Sequence, residues 1–224
     1  MEAREVLKHV DHTELMQNAK WEDIQRLCDD AVYYNTASIC IPPAYVKQAA
    51  EYLGDKMAVC TVIGFPHGYN TTATKVFEVK DAFANGAKEV DMVINIGWAK
   101  DGKFDAITEE IKALKEAAGD KILKVIIETA MLTDEEKIAL CKCVTDGGAD
   151  FIKTCTGFGG GKATVEDIAL FKAHIGPNVR MKASSGMTTL DEGAVFVEMG
   201  CERLGSKLLV NVAKADGVKI EGGY

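Results

Sequence analysis

Two lysines and an aspartate lie in segments that would bring their side chains together. Lys153 sits in Phe151-Ile-Lys-Thr-Cys-Thr-Gly157, an otherwise apolar or small stretch. Side chains alternate along a strand, so Phe151, Lys153 and Cys155 share one face and Ile152 and Thr154 the other. A lysine turned inward is seldom simple packing. Desolvation favours the neutral amine, and a neutral amine attacks a carbonyl carbon to form a Schiff base. Lys182, in Val179-Arg-Met-Lys-Ala-Ser-Ser-Gly186, would be the neighbouring cation that disfavours a second ammonium. Asp91, in Glu89-Val-Asp-Met-Val-Ile94, offers a carboxylate for the proton transfers of carbinolamine formation, dehydration and enamine protonation. Either lysine alone reads equally as a snorkelling side chain or half of an ion pair. Asp91 reads equally as the electrostatic partner of both. Two lysines with an acid in reach favour Schiff-base chemistry.

The elements that must position these residues follow from patterning. β-Branched runs at Val10–Thr13, Thr36–Cys40, Met57–Ile63, Glu89–Ile94, Lys121–Glu128, Asp150–Thr154, Val179–Ala183 and Arg203–Leu204 read as strands. Amphipathic stretches alternate with them: Trp21–Tyr34, Ala44–Leu53 behind Pro42-Pro43, Thr71–Asn85, Phe104–Ala118, a helix opened by the capping box Thr133-Asp-Glu-Glu136 and running to Asp146, Val165–His174, Thr189–Met199 and Leu208–Ala213. Eight strand–helix units in 224 residues predict a single (β/α)8 TIM barrel of parallel strands, with a flexible C-terminal tail over about residues 217–224. A weak internal repeat supports it. Gly86, Gly148 and Gly200 each end a helix, where a left-handed turn is cheap for glycine alone. Five residues on come Asp91, Lys153 and Gly205, which should be equivalent positions on alternate strands.

In such barrels a phosphate is held by the loops after the seventh and eighth strands. Here these are Ser184-Ser185-Gly186 and Gly205-Ser206-Lys207. Both are expected to open helices, whose amides and dipole favour an anion. Gly157, opening the glycine-rich loop after strand six, joins them as a candidate contact. An ordinary tight turn is the alternative for any one of these loops. The glycine spacing matches neither a P-loop nor a dinucleotide fingerprint. Thr13 and Cys40 are further candidates for substrate contact, with packing as the alternative. Lys124 and Glu128 alternate with Val125 and Ile127, so they are expected to face the lumen and orient Lys182.

Composition narrows the function classes. Net charge is −8, with no basic cluster, which argues against a nucleic-acid partner. No apolar run is long enough to span a membrane, and the charged start, Glu2 to Lys8, is not a secretory signal. Seven cysteines, an odd number placed in apolar runs, fit reduced thiols in a cytoplasmic protein. A metal-dependent aldolase or hydrolase would need clustered ligands. His12 and His67 could meet at the barrel mouth, but a third ligand is not evident. A sugar-phosphate-binding barrel without catalysis would keep the loops yet have no use for the two lysines.

These segments resemble the deoxyribose-phosphate aldolase family over nearly the whole chain: Asp11-His-Thr13, Ser38-Ile-Cys-Ile-Pro42, Thr61-Val-Ile-Gly-Phe-Pro-His-Gly68, Glu89-Val-Asp-Met-Val-Ile-Asn-Ile-Gly97, Val125-Ile-Ile-Glu-Thr129, Phe151-Ile-Lys-Thr-Cys-Thr-Gly-Phe158 and Val179-Arg-Met-Lys-Ala-Ser184. The resemblance implies a class I aldolase that cleaves 2-deoxy-D-ribose 5-phosphate to D-glyceraldehyde 3-phosphate and acetaldehyde, without cofactor or metal. The sequence does not give the oligomeric state, and a homodimer is one assembly open to it. The resemblance implies Lys153 as the Schiff-base residue, with Lys182 and Asp91 in proton transfer. The sequence departs from the family pattern at Cys155, usually serine, at Ser185, usually glycine, at Thr188, often arginine, and at Lys207, usually a small hydroxyl residue.

Overall fold

The structure is a computed structural model that describes residues 1–219. Eight parallel strands close on themselves in chain order: β1 (Val10–Thr13), β2 (Ser38–Ile41), β3 (Val59–Ile63), β4 (Glu89–Val93), β5 (Ile122–Ile126), β6 (Phe151–Lys153), β7 (Arg180–Ser184) and β8 (Cys201–Ser206), with β8 paired back onto β1. The expected (β/α)8 barrel is present. Among the described residues there are ten α-helices rather than eight: α1 (Ala3–Leu7), α2 (Trp21–Tyr34), α3 (Val46–Leu53), α4 (Thr72–Ala84), α5 (Ile96–Lys100), α6 (Phe104–Ala118), α7 (Asp134–Asp146), α8 (Val165–His174), α9 (Leu190–Glu198) and α10 (Leu208–Ala215). The two additions are single turns. α1 precedes the barrel and buries Val6 and Leu7 against α9 and α10. α5 lies between β4 and α6, with Asn95 accepting from the Trp98 amide as its cap. None of the helices is long and apolar enough to cross a membrane.

Alternation sorts the strand residues into two interiors. Val90, Met92, Leu123, Val125, Ile152, Met181 and Ala183 face outward into the apolar core shared with the helices. Their sequence neighbours Glu89, Asp91, Lys124, Lys153 and Lys182 face the lumen, all of them buried. The glycines of the internal repeat adopt the expected left-handed backbone, with φ of 103° at Gly86, 73° at Gly148 and 107° at Gly200. They deliver β4, β6 and β8 in the same way, and Asp91 and Lys153 meet as that equivalence requires. Of the residues assigned to the tail, Gly217 and Val218 complete the α10 terminus, where the Val218 amide donates to the Ala213 carbonyl and its side chain packs on the core. The remainder from residue 220 lies outside the described residues.

Candidate functional site

Three carboxylates and four cationic side chains meet inside the barrel. Lys153 and Lys182 are direct partners in the β6–β7 register, and both nitrogens donate to the same oxygen, Oδ2 of Asp91, at 2.8 Å. Lys124 donates to the other oxygen of Asp91 at 2.9 Å and pairs with Glu89 at 2.6 Å and Asp11 at 3.6 Å. Lys182 also pairs with Asp11. Arg203 joins Asp11 at 2.7 Å to Glu89 at 2.7 and 2.8 Å, with its guanidinium carbon 5.7 Å from the Phe151 ring centre. Burial of so many charges is costly unless each is matched, and here every carboxylate has at least two cationic partners.

That pairing sets the protonation states. Burial works against charge on Asp91, but Lys124, Lys153 and Lys182 outweigh it and hold the carboxyl far below its usual range. Asp11 behaves alike, against burial, through Lys182, Lys124 and Arg203. Burial also opposes the Lys182 ammonium, but Asp11 and Asp91 carry it above the ordinary lysine range. The same balance raises Lys124, where burial is overcome chiefly by Asp91, and Arg203, where it is overcome by Asp11 and Glu89. Lys182 thus lies buried between two carboxylates that favour its ammonium form.

Lys153 lines a cavity whose wall does not include Lys124, Lys182 or Arg203. The cavity, about 230 Å³, opens at the carboxyl ends of β6, β7, β8 and β1. Gly157, Ser184, Ser185, Gly186, Gly205 and Ser206 all line it, as does Thr13. Gly205 has no room for a side chain, since a Cβ there would fall 2.1 Å from the Ser184 hydroxyl. The Ser184 Oγ is buried without a hydrogen-bond partner. Ser185 holds a left-handed backbone, φ 72°, at a position better suited to glycine. A larger cleft of about 540 Å³ lies beside it over β1–β3 and shares Leu15, Met16 and Phe158, but it does not reach Lys153.

Several expectations need correction. The two phosphate loops do not both open helices. α9 starts at Leu190, capped by Thr189, so Ser184 and Ser185 stand well before its dipole. At α10 the Ser206 hydroxyl already accepts the Leu208 and Leu209 amides at 3.1 and 3.2 Å. His12 and His67 do not meet. His12 faces α2 and α10, where burial pushes it down to about 4, while His67 stacks on Tyr69 in the loop after β3. Cys40 is fully buried with Cys60 and Val62 below the cavity rather than on its wall. Among the described residues one set of metal-type ligands clusters, Cys40, Cys60 and Asp91 within 4.8 Å. Lys124, 3.3 Å from the Cys60 sulfur, and the lysines on Asp91 oppose a cation there.

Lys124 faces the lumen and shares Asp91 and Asp11 with Lys182, as expected, but Glu128 does not. Its backbone is left-handed, φ 57°, and its carboxylate accepts from the Thr156 hydroxyl at 2.6 Å and amide at 3.2 Å. Thr156 Oγ1 in turn accepts from the Phe158 and Gly159 amides. Gly159 is needed because a Cβ there would lie 2.9 Å from the Glu128 carboxyl carbon. Glu128 therefore shapes the Thr156–Phe158 wall of the cavity. We expect Glu128→Gln to lower stability by about 1–3 kcal/mol and kcat/KM by roughly tenfold as the wall loosens. Thermal melts and steady-state kinetics read both; a lowered melting temperature with unchanged kinetics would confine Glu128 to loop stability.

Asp11, Glu89 and Arg203 were not singled out from sequence as site residues. Glu89 shares the face of Asp91 two residues away, which is a usable signal. Asp11 and Arg203 are far apart in the chain, and only barrel closure between β1 and β8 joins them.

A model of DeoC/LacD family aldolases matches residues 5–200. The chain is 56% identical to a deoxyribose-phosphate aldolase of Clostridium botulinum (strain Alaska E43 / Type E3), covering 96% of this chain and 98% of that one. It is 51% identical to a deoxyribose-phosphate aldolase of Streptococcus pyogenes serotype M4, covering 99% of each. Among solved structures it is similar to an aldolase designated QR15, with a TM-score of 0.89 at 33% identity over 94% of this chain and 95% of that one.

Proposed function

Because this chain belongs to the DeoC/LacD family of aldolases, we propose that its lumen carries class I aldol chemistry on 2-deoxy-D-ribose 5-phosphate, with Lys153 as the Schiff-base residue. One observation carries the assignment of Lys153. Lys124, Lys182 and Arg203 are each tied to two or three carboxylates, whereas Lys153 is tied to Asp91 alone and is the one that reaches the cavity. Four cations face three carboxylates, and Lys153 is the least tethered of the four.

In the cleavage direction the Lys153 amine adds to the C1 aldehyde of the open-chain sugar, giving a carbinolamine. Loss of water gives an iminium ion, whose charge replaces that of the former ammonium beside Asp91. Removal of the C3 hydroxyl proton breaks the C2–C3 bond, and the electron pair is taken up as an enamine. D-Glyceraldehyde 3-phosphate leaves. Protonation of the enamine carbon and hydrolysis release acetaldehyde and restore the amine. Asp91 and Lys182 handle the proton transfers. Asp91 is a weak base while three cations surround it, but its proton affinity rises once Lys153 gives up its charge. Lys182 regains its charge after each transfer and, charged, orients the carboxylate, or a water held by it, toward the reacting carbon.

The phosphate group is assigned to Gly157, Ser184, Ser185, Gly186, Gly205 and Ser206, supported by their shared cavity wall and the unpartnered Ser184 hydroxyl. Thr13 is proposed as a contact at the same mouth, while the burial of Cys40 favours packing. The same reading makes this a single-domain cytoplasmic enzyme acting as a homodimer on small molecules. Tyr69 and Phe77, each 69% exposed, are aromatic surface that an assembly could cover.

Borohydride reduction in the presence of acetaldehyde tests the assignment. Peptide mapping should find an ethyl group on Lys153. No adduct, or an adduct on another lysine, would remove Lys153 from the mechanism.

A further inference from the structure

Besides Lys153, the cavity wall carries one other ammonium, Lys207, and one carboxylate, Glu14. The two are paired at 2.5 Å. They differ in freedom. Glu14 is 11% exposed, and its other oxygen accepts from the Met16 amide at 3.0 Å, so the loop after β1 anchors it. Lys207 stands at the N-terminus of α10 and is 51% exposed. Such a half-exposed pair adds little stability. Its position gives it another consequence. A fixed carboxylate on the wall repels an incoming anion, while the ammonium it holds is a matching charge on the same wall. The Ser184 hydroxyl on the same wall has no partner of its own.

We propose that Glu14 and Lys207 form an exchangeable latch at the phosphate end of the cavity. The phosphate of the sugar displaces the Glu14 carboxylate from the Lys207 ammonium and takes a hydrogen bond from the Ser184 hydroxyl. Lys207 then sets the preference for a phosphorylated over an unphosphorylated sugar, and Glu14 opposes it. The inference rests on the aldolase reading of this cavity and adds the two residues that tune its substrate choice.

The test is the ratio of kcat/KM for 2-deoxyribose 5-phosphate to that for 2-deoxyribose. Lys207→Met should lower the ratio by about tenfold or more, the order of a lost charge-assisted hydrogen bond. Lys207→Arg should retain most of it, and Glu14→Gln should raise it severalfold. An unchanged ratio in Lys207→Met would overturn the proposal. A fall in Glu14→Gln as large as in Lys207→Met would also overturn it, by making Glu14 a support for Lys207 rather than its competitor. Titration with inorganic phosphate reads the same pair without turnover. Weaker binding to Lys207→Met and tighter binding to Glu14→Gln are expected, and equal binding to all three proteins would reject the latch. Failure of the unaltered enzyme to cleave either sugar would instead count against the aldolase reading, and the phosphate titration would still decide the latch.

Discussion

Lys153→Ala removes retro-aldol turnover, and Lys153→Arg removes it equally. The second variant is the sharper one. Arginine keeps a positive charge within reach of Asp91, so the charge pattern of the lumen survives. It cannot become a neutral nucleophile at any working pH. A lysine that served only to pair with Asp91 would be replaced by arginine at modest cost. A lysine that forms the covalent intermediate would not, and loss of such a nucleophile lowers kcat on the order of 10⁴- to 10⁶-fold. Both variants should fold, since Asp91 retains Lys124 at 2.9 Å and Lys182 at 2.8 Å. Circular dichroism and a melting curve establish that before rates are compared. Activity in folded Lys153→Arg above about one hundredth of the parent value would refute covalent catalysis at this residue.

The residues named in that experiment were legible because strand alternation is a strict period of two. In Phe151-Ile-Lys and in Arg180-Met-Lys it turns the apolar middle residue to the helices and the flanking residues to the lumen. Long helices with clear starts, such as α2, α6 and α8, were readable to the residue. The sequence pattern makes β8 too short because the exposed Glu202 separates Cys201 from Arg203-Leu204 and Gly205-Ser206 reads as loop, while Arg203 is there for the lumen rather than the core. α1 and α5 are single turns, too short for a period of 3.6 to register. The rest of the site depends on register and loop conformation. The Asp11–Arg203 contact needs β1 beside β8, and the Lys182–Arg203 alignment involves an irregularity at Met181 and Lys182. Glu128 leaves the alternation of its own strand because its backbone turns left-handed just past Ile126, which no residue pattern announces for a glutamate.

Lys182→Met tests the other half of the site, and its effect falls on pH dependence rather than only on rate. Lys182 is fully buried, paired with Asp11 and Asp91, and held charged by them once the cost of burial is met. Methionine keeps the volume and deletes the charge. The three carboxylates then face two permanent cations, Lys124 and Arg203, in place of three. A protonated nucleophile is better tolerated with one positive charge fewer beside it, so more alkaline conditions are needed to release the amine. The activity optimum should move to higher pH by about one unit, with kcat also reduced because a proton-transfer partner is gone. Breaking a buried pair costs about 3–5 kcal/mol of stability, so the pH profile must be taken below the melting transition. Lys182→Arg keeps the cation and serves as the control, and its optimum should stay near that of the parent. If folded Lys182→Met and Lys182→Arg share the parent optimum, the charge on Lys182 does not govern the reactivity of Lys153, and the role of the lumen network shrinks to holding Asp91 in place.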